Sequence, residues 1–117
     1  MNEEQNLIAQ LNADTPQERL EALRLLNKLN ASAKASTLTP RHDVNNHIHT
    51  TYSFSPYSPT KAVWMADQAG LSTAGLMDHD SIGGAHEFIE AGRILNLPTT
   101  IGAECRASFV GTVLEGR

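Results

Sequence analysis

The chain has 117 residues, at most one domain, and its 40% hydrophobic and 19% charged content is that of a globular protein and not of a disordered one. A formal net charge of −4, with acidic and basic residues interspersed, lacks the basic stripe of a nucleic-acid binder. Nucleic acid is therefore disfavoured but not excluded as a partner, because a metal ion can supply positive charge locally. The single cysteine, Cys105, rules out an intrachain disulfide and fits a reducing compartment. The acidic start MNEEQNLIAQLN is unlike a signal peptide, and no apolar run approaches the ~20 residues that span a bilayer. The chain reads as soluble and cytoplasmic, without a membrane partner.

Taken in chain order, EEQNLIAQLN predicts a short helix. DTPQERLEALRLLNKLN predicts a second, with Asp14 or Thr15 as N-cap, Pro16 in the first turn and Glu18 three residues after Thr15. Leu20, Leu23 and Leu26 or Asn27 follow at helical spacing, so this pair forms an αα-hairpin with one apolar face. ASAKASTLTPR is small and polar and reads as a linker. The expected boundaries are a helical segment and linker over 1–41 and a second unit over 42–117.

From residue 43 the pattern alternates. DVNNHIH is a strand. SPTKAVWMADQAG is a helix capped by Ser58, started by Pro59 and stopped by Gly70, with Ala62, Val63, Ala66 and Ala69 on its inner face and Trp64 and Met65 flanking it. TAGLMD is a buried strand, GAHEFIEAGRILN a helix and PTTIGAEC a third strand. This βαβαβ order favours a parallel sheet or barrel.

In parallel α/β folds the working residues sit at the C-terminal ends of strands. The first strand ends in His47-Ile48-His49. Residues two apart point to the same side, so both imidazoles can face one point while Ile48 packs the other way. The second ends in Asp78-His79-Asp80 and the third in Gly102-Ala103-Glu104, where Glu104 can bind one metal or bridge two. An HxH pair alone, a DHD turn alone or a strand-end Glu alone carries little weight. Three successive strand ends delivering His, His, His and Glu point to a metal site of imidazole and carboxylate ligands. His42 and His86 lack that context; His42 is read as exposed and His86 as a surface or packing residue of its helix.

The segment from Asn45 to Glu104, with its HIHT opening, its DHDSIGG turn and its GAE strand end, resembles the N-terminal part of the PHP (polymerase and histidinol phosphatase) family. The resemblance implies a TIM-like (β/α) barrel with one unit fewer, two or three divalent metals such as Zn, Mn or Fe, and hydrolysis of phosphoesters by a metal-activated water. It implies His47, His49, His79 and Glu104 as metal ligands, and Asp78 as a second-shell or substrate-facing catalytic group. The implied partner is a small phosphorylated substrate. Two departures stand out: Asn45 occupies a position where many relatives carry Asp, and Ser53-Phe54-Ser55 stands where many read Ser-Asp-Gly. Tyr52, Ser53, Ser55 and Tyr57 are candidate substrate contacts in place of the missing acid, and one metal position is expected to be differently coordinated. About 75 residues after the linker fall short of the 200 or so a barrel needs. The chain is thus expected to be a fragment completed by a missing part or a second copy. The alternatives are an amidohydrolase-type metal hydrolase and a catalytically incomplete metal-binding or assembly fragment.

Overall fold

A computed structural model describes residues 2–31, 41–108 and 110–116, so most of the expected linker lies outside the described residues. The elements are α1 (Glu3–Gln10), α2 (Pro16–Leu29), β1 (Val44–Ile48), α3 (Pro59–Gln68), β2 (Thr73–His79), α4 (Ala85–Leu95) and β3 (Thr99–Glu104). The three strands form one parallel sheet in the order β1-β2-β3. The result is a mixed α/β unit with a helical hairpin in front of it. No helix among the described residues is long and apolar enough to cross a membrane.

Local chemistry explains the helix ends. Thr15, and not Asp14, caps α2: its side chain accepts from the Glu18 backbone N–H, and the Glu18 carboxylate accepts from the Thr15 N–H. Asn2 and Gln5 make the same reciprocal pair at α1. Ser58 caps α3 through the Lys61 N–H, with Pro59 in the first turn, and Gly70 follows its end at φ +82. Asn96 closes α4 in the left-handed conformation.

Alternation along the strands sorts two faces. Ala74, Leu76 and Asp78 of β2 are buried in the helix layer, Ala74 and Leu76 in one core with Val63 of α3 and Phe88 and Ala91 of α4. Leu7 and Leu11 of the hairpin's first limb and Leu20, Leu23 and Leu26 of α2 join that same core. The hairpin is therefore packed into the α/β unit. Polar contacts fasten it there: the Arg19 guanidinium meets Glu87 of α4 through two hydrogen bonds, and Asn27 Nδ2 donates to the Ile94 carbonyl.

The opposite face of the sheet carries Asn46, Gly75, Met77 and Thr100, and its C-terminal end carries the histidines. Gly75 is required there, since a Cβ would lie 2.5 Å from both the Asn46 Cα and the Thr100 Oγ1. β1 is not regular. Asn45 pairs with Ala74 and Ile48 with Leu76, so three steps on β1 oppose two on β2. The extra residue is a β-bulge.

Candidate metal centre

Beyond the bulge, Ile48 shares the helix-side face with its partner Leu76, and His47 and His49 project from the other. On β3, Glu104 is the register partner of His79. The topology thus brings the ends of all three strands together on one side. His47 Nε2 contacts Glu104 Oε1, His49 Nε2 lies 3.8 Å from that same oxygen, and His79 Nδ1 lies 3.3 Å from Glu104 Oε2. The rings of His49 and His79 are stacked at 4.8 Å and 6°, and that of His47 stands edge-on to His49 at 5.0 Å.

All four expected ligands are therefore brought together. One donor atom from each of His47, His49 and Glu104 lies within 4.8 Å of the others. Two imidazole nitrogens and a carboxylate oxygen are the donor set that zinc takes in open catalytic sites, and iron and manganese accept it too. The residues fit a transition-metal ion. The two oxygens of Glu104 face different histidines, which is the arrangement a carboxylate shared between two ions needs. His42 and His86 are exposed and stand apart, as expected.

Asp78 is expected from sequence either behind the ligands or facing substrate, and only the first matches its place: alternation along β2 turns it to the helix side, away from His79. It is fully buried, and its two oxygens accept from the Thr50 N–H at 2.7 Å and the Thr50 hydroxyl at 2.8 Å. Ala74 and Leu76 on the same face carried the signal, since a period of two puts Asp78 with them. Its place in the site is indirect: it anchors the loop that leaves β1.

That loop holds what sequence reasoning missed. Ser53 is buried and is not free to contact substrate. Its hydroxyl lies 3.3 Å from His49 Nδ1 and accepts the His79 backbone N–H at 2.8 Å. Were His49 Nε2 to hold a metal, its Nδ1–H would donate to Ser53, and that bond would fix tautomer and ring plane. Removing such a partner typically costs 10–100-fold in metal affinity. Ser53→Ala is accordingly expected to weaken zinc binding by about that factor in a competition titration against a chromophoric chelator; unchanged affinity would remove Ser53 from the centre.

The far end of the loop is clamped by the hairpin. Asn12 Nδ2 donates to the Pro56 carbonyl at 2.9 Å, its Oδ1 accepts the Ser58 N–H at 2.6 Å, and the Ser58 hydroxyl donates to the Leu11 carbonyl. Tyr52 lies against Gly83 and Gly84, where a Cβ would come within 2.8 Å and 3.2 Å of its ring; the glycine pair makes room for it. Asn45, at the position of the expected acid, is turned from the histidine face, and its Oδ1 accepts the His47 N–H at 2.9 Å.

A solved structure of a candidate metal-dependent phosphoesterase from Bifidobacterium adolescentis superposes with a TM-score of 0.55 at 32% identity, over 58% of this chain and 24% of that one. The chain resembles part of a metal-dependent phosphoesterase. Error-prone DNA polymerases of Mycobacterium bovis and Mycobacterium tuberculosis are 40% identical over 60 residues, 50% of this chain and 6% of theirs. The chain thus spans only a small part of the curated relatives it matches. No family model matches the chain.

Proposed function

We propose that this chain forms one wall of a PHP-type, metal-dependent phosphoesterase centre that hydrolyses a phosphate ester with water. The observation that carries the reading is the meeting of His47, His49 and Glu104 donor atoms within 4.8 Å at the C-terminal end of a parallel sheet. His47, His49 and Glu104 would hold one ion, and His79 with the second oxygen of Glu104 would contribute to another. Ions of this kind supply water activation and neutralisation of phosphate charge.

The chain's own residues do the rest. Glu104 draws three imidazoles to one carboxylate. Ser53 sets the plane of His49. Thr50, held by buried Asp78, fixes the point where the chain leaves β1, so Asp78 is a positioning residue in this reading. The substrate proposed is a small phosphate ester; the likeness to DNA polymerases brings nucleotide esters into that class. Calorimetric titration of chelator-treated protein with Zn²⁺ or Mn²⁺ tests the centre. Saturable binding is expected. Absence of binding to either ion would end the proposal.

A further inference from the structure

Phe54 is the most exposed aromatic side chain among the described residues, at 93%, and it occupies the left-handed region at φ +66. Both features are costly. A bulky residue avoids that backbone region, and a large apolar ring gains nothing from water. Such strain persists only where the surroundings over-determine it, and it gathers at ligand-binding sites.

Here the surroundings do over-determine it. The Ser53 N–H and the Ser55 N–H both donate to the Thr50 carbonyl, at 2.8 Å and 3.2 Å, which forces the residue between them into a tight reversal. Thr50 is itself held by Asp78, the Thr51 N–H donates to the Tyr57 carbonyl, and Asn12 grips Pro56 and Ser58. Glycine would satisfy this backbone at no steric cost. The chain instead holds a phenyl ring out of the loop, with its centroid 6.4 Å from that of His79 and tilted by 57° to it. The ring therefore stands beside the metal-binding group with an open face.

We infer that Phe54 is a stacking platform for the base of a nucleoside phosphate whose phosphate lies at the histidine–Glu104 centre; this rests on the phosphoesterase reading above. An aromatic face accepts any base, because every base has a π-face, and it adds affinity without hydrogen bonds. A nucleoside phosphate carries a flat ring and a phosphate separated by a sugar, which suits a ring placed beside the metal ligands rather than among them.

Adenosine 5′-monophosphate and ribose 5-phosphate, titrated into the Mn²⁺-loaded chain, differ only by the base. The wild type is expected to bind the nucleotide roughly tenfold or more tightly, the scale of one base–aromatic stack. Phe54→Tyr keeps that preference. Phe54→Ala and Phe54→Gly bring the two ligands to parity without changing ribose 5-phosphate binding. Phe54→Gly, by relieving the backbone, also raises the thermal midpoint by about 2–6 °C. Parity in the wild type, or a preference that survives in Phe54→Ala, overturns the platform and leaves the phosphoesterase reading standing. Failure of both ligands to bind the metal-loaded chain counts against the platform and the phosphoesterase reading together.

Discussion

Replacing His47 and His49 together by alanine is expected to weaken metal binding by orders of magnitude while leaving the fold intact. A four-ligand protein zinc site is worth about 10–16 kcal/mol, so each ligand contributes roughly 3 kcal/mol and the loss of two lowers affinity on the order of 10⁴-fold. The fold should hardly notice, because the His47 side chain is 60% exposed and that of His49 is mainly in contact with other members of the site. Thermal unfolding separates the two effects. In chelator, the wild type and the double variant melt within a degree or two of each other. With metal at 100 times the wild-type dissociation constant, the wild type gains about 2.7 kcal/mol and the variant gains nothing. Equal metal-induced stabilisation of the two proteins would show that the ion binds elsewhere.

The second large effect lies far from the metal, at the joint between hairpin and sheet layer. Arg19 Nε and Nη2 meet the two oxygens of Glu87 at 2.9 and 2.6 Å, and both residues are buried. Glu87 Oε2 also accepts the Thr60 N–H at 3.0 Å and its hydroxyl at 2.7 Å, and Arg19 Nη1 donates to the Ala13 carbonyl. Removing one partner of such a pair strands the other, at a cost of about 3–5 kcal/mol. A small domain has only about 5–15 kcal/mol in all, so Arg19→Ala consumes a large part of it. Glu87→Ala is expected to cost more than Arg19→Ala, because it also strips the Thr60 N–H, a helix-start donor with no partner in its own helix. Urea melts of the two variants test the order. Similar losses below 1 kcal/mol would mean that the hairpin is dispensable.

The same cluster sets a pH dependence. Burial would raise the Glu87 pKa, but hydrogen bonds from Arg19 and Thr60 outweigh it and hold the carboxyl below its ordinary value. The hydrogen bond to Glu87 in turn raises the Arg19 pKa, which keeps the guanidinium charged. A carboxyl depressed in the folded state binds fewer protons there than in the unfolded chain. Its contribution is complete above the unfolded value of about 4.3 and is lost as pH falls through the lower folded value. The thermal midpoint should therefore drop on acidification through that window, and Glu87→Gln should flatten the drop while being less stable at neutral pH.

Much of this was readable from local signals. The TPQE box, the Ser58-Pro59 start and the βαβαβ alternation each depend on neighbours in sequence, and the structure bears them out. The convergence of His47, His49, His79 and Glu104 followed from the strand-end rule of parallel folds, with parity placing His47 and His49 on one side. What escaped was whatever depends on distant partners. Asn12 meets Pro56 across 44 residues, and Arg19 meets Glu87 across 68. No periodicity records such pairs. Of the two roles expected for Asp78, alternation with Ala74 and Leu76 leaves the one behind the ligands and not the one facing substrate. Ser53 is expected from sequence as a substrate contact in place of the missing acid, whereas the fold of the loop back onto the Thr50 carbonyl buries it.

The bulge in β1 has a consequence for how this strand can change. Two residues apart is the same side only if the count begins after the extra residue. Counted from Asn45 along a regular strand, both histidines would fall on the side of α3, and Ile48 would take their place at the centre. The inserted residue acts as a parity switch. Deleting Asn46 would remove the extra residue and set two steps on β1 against two on β2, with His47, Ile48 and His49 still on the faces they hold now. Adding one more residue there, or taking out two, would break that match and turn the histidines toward α3. A gap of one in a sequence comparison at this point is therefore compatible with an intact centre so long as both histidines remain.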